Sequence, residues 1–142
     1  MRSSATVVAL AATLLAVAGC GGDSNAPDTS HVGLYDMVSI DGDPLPATVI
    51  DMPGYNLQVT QGSLSLNANN TFVESLTSVE TIDGTQGPVE AISCPGSYAR
   101  SGNTITLTTP ETDICASQRV IGTLSGSTLT VDYEGTTIVF RR

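Results

Sequence analysis

The sequence predicts an all-β domain, an up-and-down antiparallel barrel of eight to ten strands, on three observations. From Val32 onward, short runs of apolar residues and Thr alternate in period two between clusters of Gly, Asn, Asp and Pro, the pattern of strands joined by tight turns. No stretch carries a helical periodicity. The runs follow one another as a meander, and a sheet that long curls and closes because closure removes its exposed edges. A two-sheet β-sandwich is the alternative packing of the same strands.

The chain begins with a different texture. Arg2 is the only charge before an apolar run from Val7 to Ala18. That run is too short to span a bilayer, which takes roughly 20 apolar residues, and it ends in small residues, as a signal peptide does. Val17-Ala18-Gly19-Cys20 reads aliphatic, small, Gly, Cys and resembles the lipobox of bacterial lipoproteins. The resemblance implies cleavage after Gly19 and acyl chains such as palmitate on Cys20, which would hold the protein at a membrane without a transmembrane helix. Residues 1–19 are therefore expected to be a signal peptide. Residues 20–31, rich in Gly, Ser, Asn and Asp, form a flexible tether, and residues 32–142 the folded domain. The implied location is the cell envelope, with the domain facing an extracytoplasmic space.

Val32 to Ile40 is the first expected strand, stopped by Asp41-Gly42-Asp43-Pro44, where Gly permits a turn and Pro blocks continuation. Leu45 to Met52, bounded by Pro46 and Pro53, is an edge piece. Tyr55, Leu57 and Val59 alternate with polar residues, and Gln61-Gly62 is expected to turn the chain into a further strand of Leu64, Leu66 and Ala68. Asn69-Asn70 turns it again. Thr71 to Ile82 is a longer strand with imperfect alternation, which a bulge between Glu74 and Ser78 would reconcile. Thr85-Gln86-Gly87-Pro88 is the next expected connection, and Val89 to Arg100 the next strand, with an interruption at Cys94-Pro95-Gly96. Ser101-Gly102-Asn103-Thr104-Ile105-Thr106-Leu107 is echoed by Ser125-Gly126-Ser127-Thr128-Leu129-Thr130-Val131, each a turn opening an alternating strand. Glu134-Gly135 is the last turn, before Ile138, Val139 and Phe140.

With Cys20 assigned to lipid, Cys94 and Cys115 remain as an even pair in an oxidising compartment, where a disulfide is the expected fate. Closing the loop of about 20 residues between them stabilises a fold by about 3 kcal/mol in the chain-entropy model. All 14 acidic residues lie beyond Cys20, against Arg100, Arg119, Arg141 and Arg142 and no Lys. Such a surface repels phosphate backbones and anionic headgroups, so nucleic acid is disfavoured as a partner and membrane attachment falls to the lipid.

Gly33-Leu34-Tyr35, Gly42, Leu45-Pro46 and the Ser-Gly-Asn-Thr-Ile-Thr-Leu hairpins resemble those of small bacterial lipocalin-like lipoproteins. The resemblance implies a barrel closed by an aromatic residue of the first strand packed against an Arg of the last, here Tyr35 with Arg141 or its neighbour Arg142, with Arg141 taken as the partner. It also implies an interior able to hold a small apolar ligand.

Chemistry leaves few candidates. The sole histidine, His31, sits at the tether junction, so neither a Ser-His-Asp triad nor a His-rich metal site within the barrel is expected. Asp41-Gly42-Asp43 lacks the further ligands of a calcium loop. Glu74 with Glu90, and Glu111 with Asp113, are carboxylate pairs of unknown separation. Strict alternation puts Glu74 in phase with Phe72 and Leu76, and Arg100 in phase with Tyr98, so Glu74, Tyr98 and Arg100 are candidates for a charged binding site inside the barrel. The expected bulge would instead turn Glu74 outward. The sequence thus anticipates no enzyme, no cofactor and no metal. It anticipates a lipid-anchored binding protein or, as the alternative, an envelope interaction module with a filled core and an unspecified protein partner.

Overall fold

A computed structural model describes residues 28–142; the expected signal segment, Cys20 and the part of the expected tether before Asp28 lie outside the described residues. Ten strands follow in chain order: β1 (Gly33–Ile40), β2 (Asp43–Pro44), β3 (Ala47–Met52), β4 (Tyr55–Leu66), β5 (Thr71–Ile82), β6 (Thr85–Ser101), β7 (Thr104–Thr109), β8 (Gln118–Ser125), β9 (Thr128–Tyr133) and β10 (Thr136–Arg141). All pair antiparallel. The order β1-β10-β9-β8-β7-β6-β5-β4 closes when β4 pairs back onto β1 over Ser63–Leu66, giving an eight-stranded up-and-down barrel with β2 and β3 as edge additions. The expected barrel is present, and the sandwich is not.

Several expected boundaries move. Gln61-Gly62 is not a turn: β4 runs unbroken from Tyr55 to Leu66, with a bulge that leaves Thr60 between the pairs Val59↔Ser78 and Gln61↔Thr77. Opposed residues of a ladder share a face, so the bulge switches the inward set from Tyr55, Leu57 and Val59 to Gly62, Leu64 and Leu66. Two strands of opposite phase in the sequence are one bulged strand. Conversely, β5 itself carries no extra residue between Thr71 and Ser78: it pairs one-to-one with β6 throughout and with β4 from Thr71 to Thr77, the shift beyond lying at Thr60 of β4, so the bulge expected in β5 is absent. Phe72, Glu74, Leu76 and Ser78 therefore share the inner face. The connection expected at Thr85–Pro88 lies inside β6. The hairpin turns at Asp83-Gly84, both with positive φ (48° and 79°), as a two-residue type I′ loop requires. Cys94-Pro95-Gly96 does not interrupt β6.

The inward residues fill the barrel. Tyr35, Leu64, Leu66, Phe72, Ile105, Leu107, Leu129, Val131 and Phe140 are each under 2% exposed, with Met37, Ile40, Val59, Val120 and Leu124 packed around them. Burying a side chain of this size contributes about 1.5–3 kcal/mol. The ring of Phe72 lies over Gly96, its partner on β6, where a Cβ would strike the ring and the Thr108 carbonyl. The middle of the barrel is thus occupied by protein, and space for chemistry lies at its two ends.

Candidate functional site

The end formed by the start of β1 and the end of β10 is sealed by a polar network. Tyr98, inward on β6, donates from its hydroxyl to the Asn67 carbonyl (2.7 Å) and lies 2.9 Å from His31 Nε2. Arg100 Nη1 donates to His31 Nδ1 (2.9 Å) and to Asp28 (2.8 Å). An acceptor at Nδ1 leaves the proton on Nε2, so the network assigns a neutral His31 that donates to Tyr98. Burial, reinforced by the Arg100 charge, holds the His31 pKa below its ordinary value. Hydrogen bonds from Ser30, with Arg100 adding to them, hold the Asp28 carboxyl at about 2. The Tyr35 hydroxyl donates to the His31 carbonyl (2.8 Å). Among the described residues no buried side-chain nitrogen or oxygen lacks a partner. This end is a lock that fastens residues 28–31 to the barrel.

Arg142, not Arg141, covers Tyr35. Its guanidinium carbon sits 5.4 Å from the ring centroid, and Nη1 donates to the Val32 carbonyl (2.8 Å). Arg141 pairs with Asp36 in the β1–β10 ladder, one position out of phase with inward Tyr35 and Phe140, and so faces solvent.

Glu74 does not meet Arg100. The two lie toward opposite ends of the barrel: Glu74 is paired with Cys94, six residues along β6 from Arg100, which is roughly 20 Å at about 3.3 Å per residue. Glu74 Oε2 instead accepts a 2.8 Å hydrogen bond from Tyr133 of β9. Tyr133 is in phase with buried Leu129 and Val131, a periodicity present in the sequence that marked it as inward. Desolvation raises the Glu74 pKa, with the Tyr133 bond opposing it. Burial, and then the neighbouring carboxylate, raises that of Tyr133 strongly.

Around Glu74 the barrel is open. Residues 85–96 of β6 pair only with β5, so β3, β4, β5 and the first part of β6 project beyond the rim as a twisted sheet. The segment between β7 and β8 folds back against it. Cys115 on that segment forms the expected disulfide with Cys94 (S–S 2.07 Å), and Thr112 braces it by accepting from the Cys115 amide (2.9 Å). Between segment and sheet lies a cavity of about 220 Å³ lined by Glu74, Leu76, Ile92, Thr109, Ile114, Gln118 and the disulfide. A larger hollow, about 550 Å³, lies along the wall where β1 and β4 diverge, but it is bordered mainly by Ser, Thr and Gln side chains.

The other acidic candidates do not gather into a site. Glu90 is exposed and opposite Ser78, Glu111 and Asp113 are exposed on the β7–β8 segment, and Asp41 accepts from the Thr137 amide at a β1–β2 turn. Comparison with protein-family models, with curated proteins and with solved structures gives no significant match to this chain.

Proposed function

We propose that the chain is a lipid-anchored lipoprotein of the cell envelope that holds a small, largely apolar ligand at the open end of its barrel. The observation that carries this reading is the cavity beside Glu74: apolar walls from Leu76, Ile92 and Ile114 around one desolvated carboxyl, the mix of apolar lining and a single placed polar group that marks small-molecule sites. The lipobox-like Val17-Ala18-Gly19-Cys20 and the lipocalin-like hairpins support the anchor and the binding role. The tests are separate. A clickable palmitate analogue is expected to label the chain in cells and not its Cys20→Ser variant. Titration of the Cys20→Ser chain with toluene, benzyl alcohol and benzylamine is expected to shift the Leu76, Ile92 and Ile114 methyl resonances saturably for at least one probe, and Ile92→Trp to abolish those shifts. Flat titrations with all three would end the ligand reading.

A second reading is an envelope interaction module with a filled core. It draws support from the exposed Ile50, Met52, Ile82 and Val89, which all lie on the projecting sheet. Photo-crosslinking from position 52 or 89 in cells is expected to trap a protein partner under this reading, and recovery of monomer alone counts against it.

A further inference from the structure

We propose that the open-end cavity selects an organic cation, a protonated amine carried on a compact apolar body, whose N–H donates to Glu74. This ligand class rests on the reading of the cavity as a ligand site.

Four features point to it. First, Glu74 Oε2 is taken by Tyr133, and since no buried side-chain oxygen among the described residues lacks a partner, the other oxygen, which forms no hydrogen bond there, is reachable from the cavity. A carboxylate that has lost water and gained one phenol is under-compensated, and a charged donor is the partner that restores it. Second, the protein supplies no such donor. Arg100 and Arg142 are engaged at the sealed end, Arg141 faces outward, and Arg119 is paired with Thr108, out of phase with inward Leu107 and Val120. The one ion pair among the described residues is Asp28–Arg100.

Third, the charged side chains on the cavity's face of the projecting sheet share one sign. Glu80 and Glu90 oppose Leu57 and Ser78 in the ladders, which places them on the same face as Glu74, and Glu111 and Asp113 lie on the segment across the cavity. Glu80 accepts from Tyr55 (2.8 Å), again a neutral donor. An anion is repelled here and a cation attracted. Fourth, the space fixes the size of the ligand. A volume of about 220 Å³ equals about seven waters at roughly 30 Å³ each, enough for a small ring or short branched chain, whose apolar atoms meet Leu76, Ile92 and Ile114. A metal ion is a poorer match, since no group of three or more His, Cys, Asp or Glu among the described residues is placed to hold one.

Benzylamine, benzyl alcohol and benzoate share one apolar body and differ in the charge of the head. Titrated into the Cys20→Ser chain at neutral pH and read by the Leu76, Ile92 and Ile114 methyls, benzylamine is expected to bind about tenfold more tightly than benzyl alcohol, the equivalent of about 1.4 kcal/mol, and benzoate not at all. In Glu74→Gln, which keeps an acceptor for Tyr133, the amine preference is expected to collapse to about onefold while benzyl alcohol binding persists. Equal binding of amine and alcohol, or an amine preference that survives in Glu74→Gln, overturns the cation while leaving a ligand site standing. Absence of binding by benzylamine, benzyl alcohol and toluene alike overturns the ligand reading itself.

Discussion

At the scale of single residues, the sealed end gives the clearest expectations. Arg142 stacks over Tyr35 and bonds the Val32 carbonyl; a cation–π contact at an exposed site is worth about 0.5–1 kcal/mol. Arg142→Ala is expected to lower unfolding stability by about 1 kcal/mol, while Arg141→Ala stays within about 0.5 kcal/mol, as surface changes do. Equal effects in denaturant titrations would contradict the assignment. His31 gives a pH signature. Its folded pKa lies below the ordinary 6.5, so as pH falls the unfolded chain takes the proton first. The stability His31 contributes is complete above about 6.5 and is lost as pH falls from there toward the folded pKa. Asp28 acts in a separate window, from its ordinary 3.8 down to about 2. His31→Gln is expected to flatten the upper slope and leave the lower one. Of these residues, alternation placed Tyr98 and Arg100 inward, and Glu74 is inward too because the bulge expected to turn it outward is absent from β5. Alternation carried no information about which end of the barrel each occupies, because that depends on strand register. Arg142 and Tyr133 were equally accessible to phase counting, from Phe140 and from Val131.

At the scale of elements, the strands were legible and some of their joints were not. A bulge and a turn both reverse the phase of an alternating run, so Gln61-Gly62 looked like a hairpin, whereas the register places a single extra residue, Thr60, in an otherwise continuous strand. The β5–β6 turn was legible in principle. Asp83-Gly84 is a strong two-residue hairpin signal, but Gly87-Pro88 nearby competed with it, and Pro at position 88 is tolerated because it falls at an irregularity in the pairing of β5 with β6. Gly96 shows how closely β6 is fitted to its neighbour. It is the one position that lets Phe72 lie flat against the strand, and a Cβ there meets both ring and backbone. Gly96→Ala is expected to cost about 1–3 kcal/mol, the usual range for overpacking a filled core, read as a shift in the denaturant midpoint at unchanged slope. A shift below about 0.5 kcal/mol would mean that the Phe72 ring moves aside freely.

At the scale of the whole molecule, the two ends of the barrel have different orientations toward a membrane if Cys20 carries lipid. The chain enters the fold at Asp28, which Arg100 pins to the sealed end. The eight residues from Cys20 to Pro27 reach at most about 28 Å when fully extended, so that end is kept near the bilayer. The Asp83-Gly84 tip is at the far end of β6, 17 residues from Ser101, which at about 3.3 Å per residue is on the order of 50 Å away. An acidic surface without Lys gives an anionic leaflet no reason to draw the domain down on its side. The cavity and the projecting sheet are therefore expected to face away from the bilayer, open to solutes rather than to lipid. Fluorophores placed at Asn103, in the β6–β7 turn, and at Asp83 test this in vesicles carrying a headgroup quencher. The label at Asn103 is expected to be quenched and that at Asp83 to remain bright, with the difference growing at low ionic strength as repulsion from anionic lipid lengthens its reach. Quenching at Asp83 equal to that at Asn103 would place the domain on its side, and would direct the search for the ligand to the bilayer.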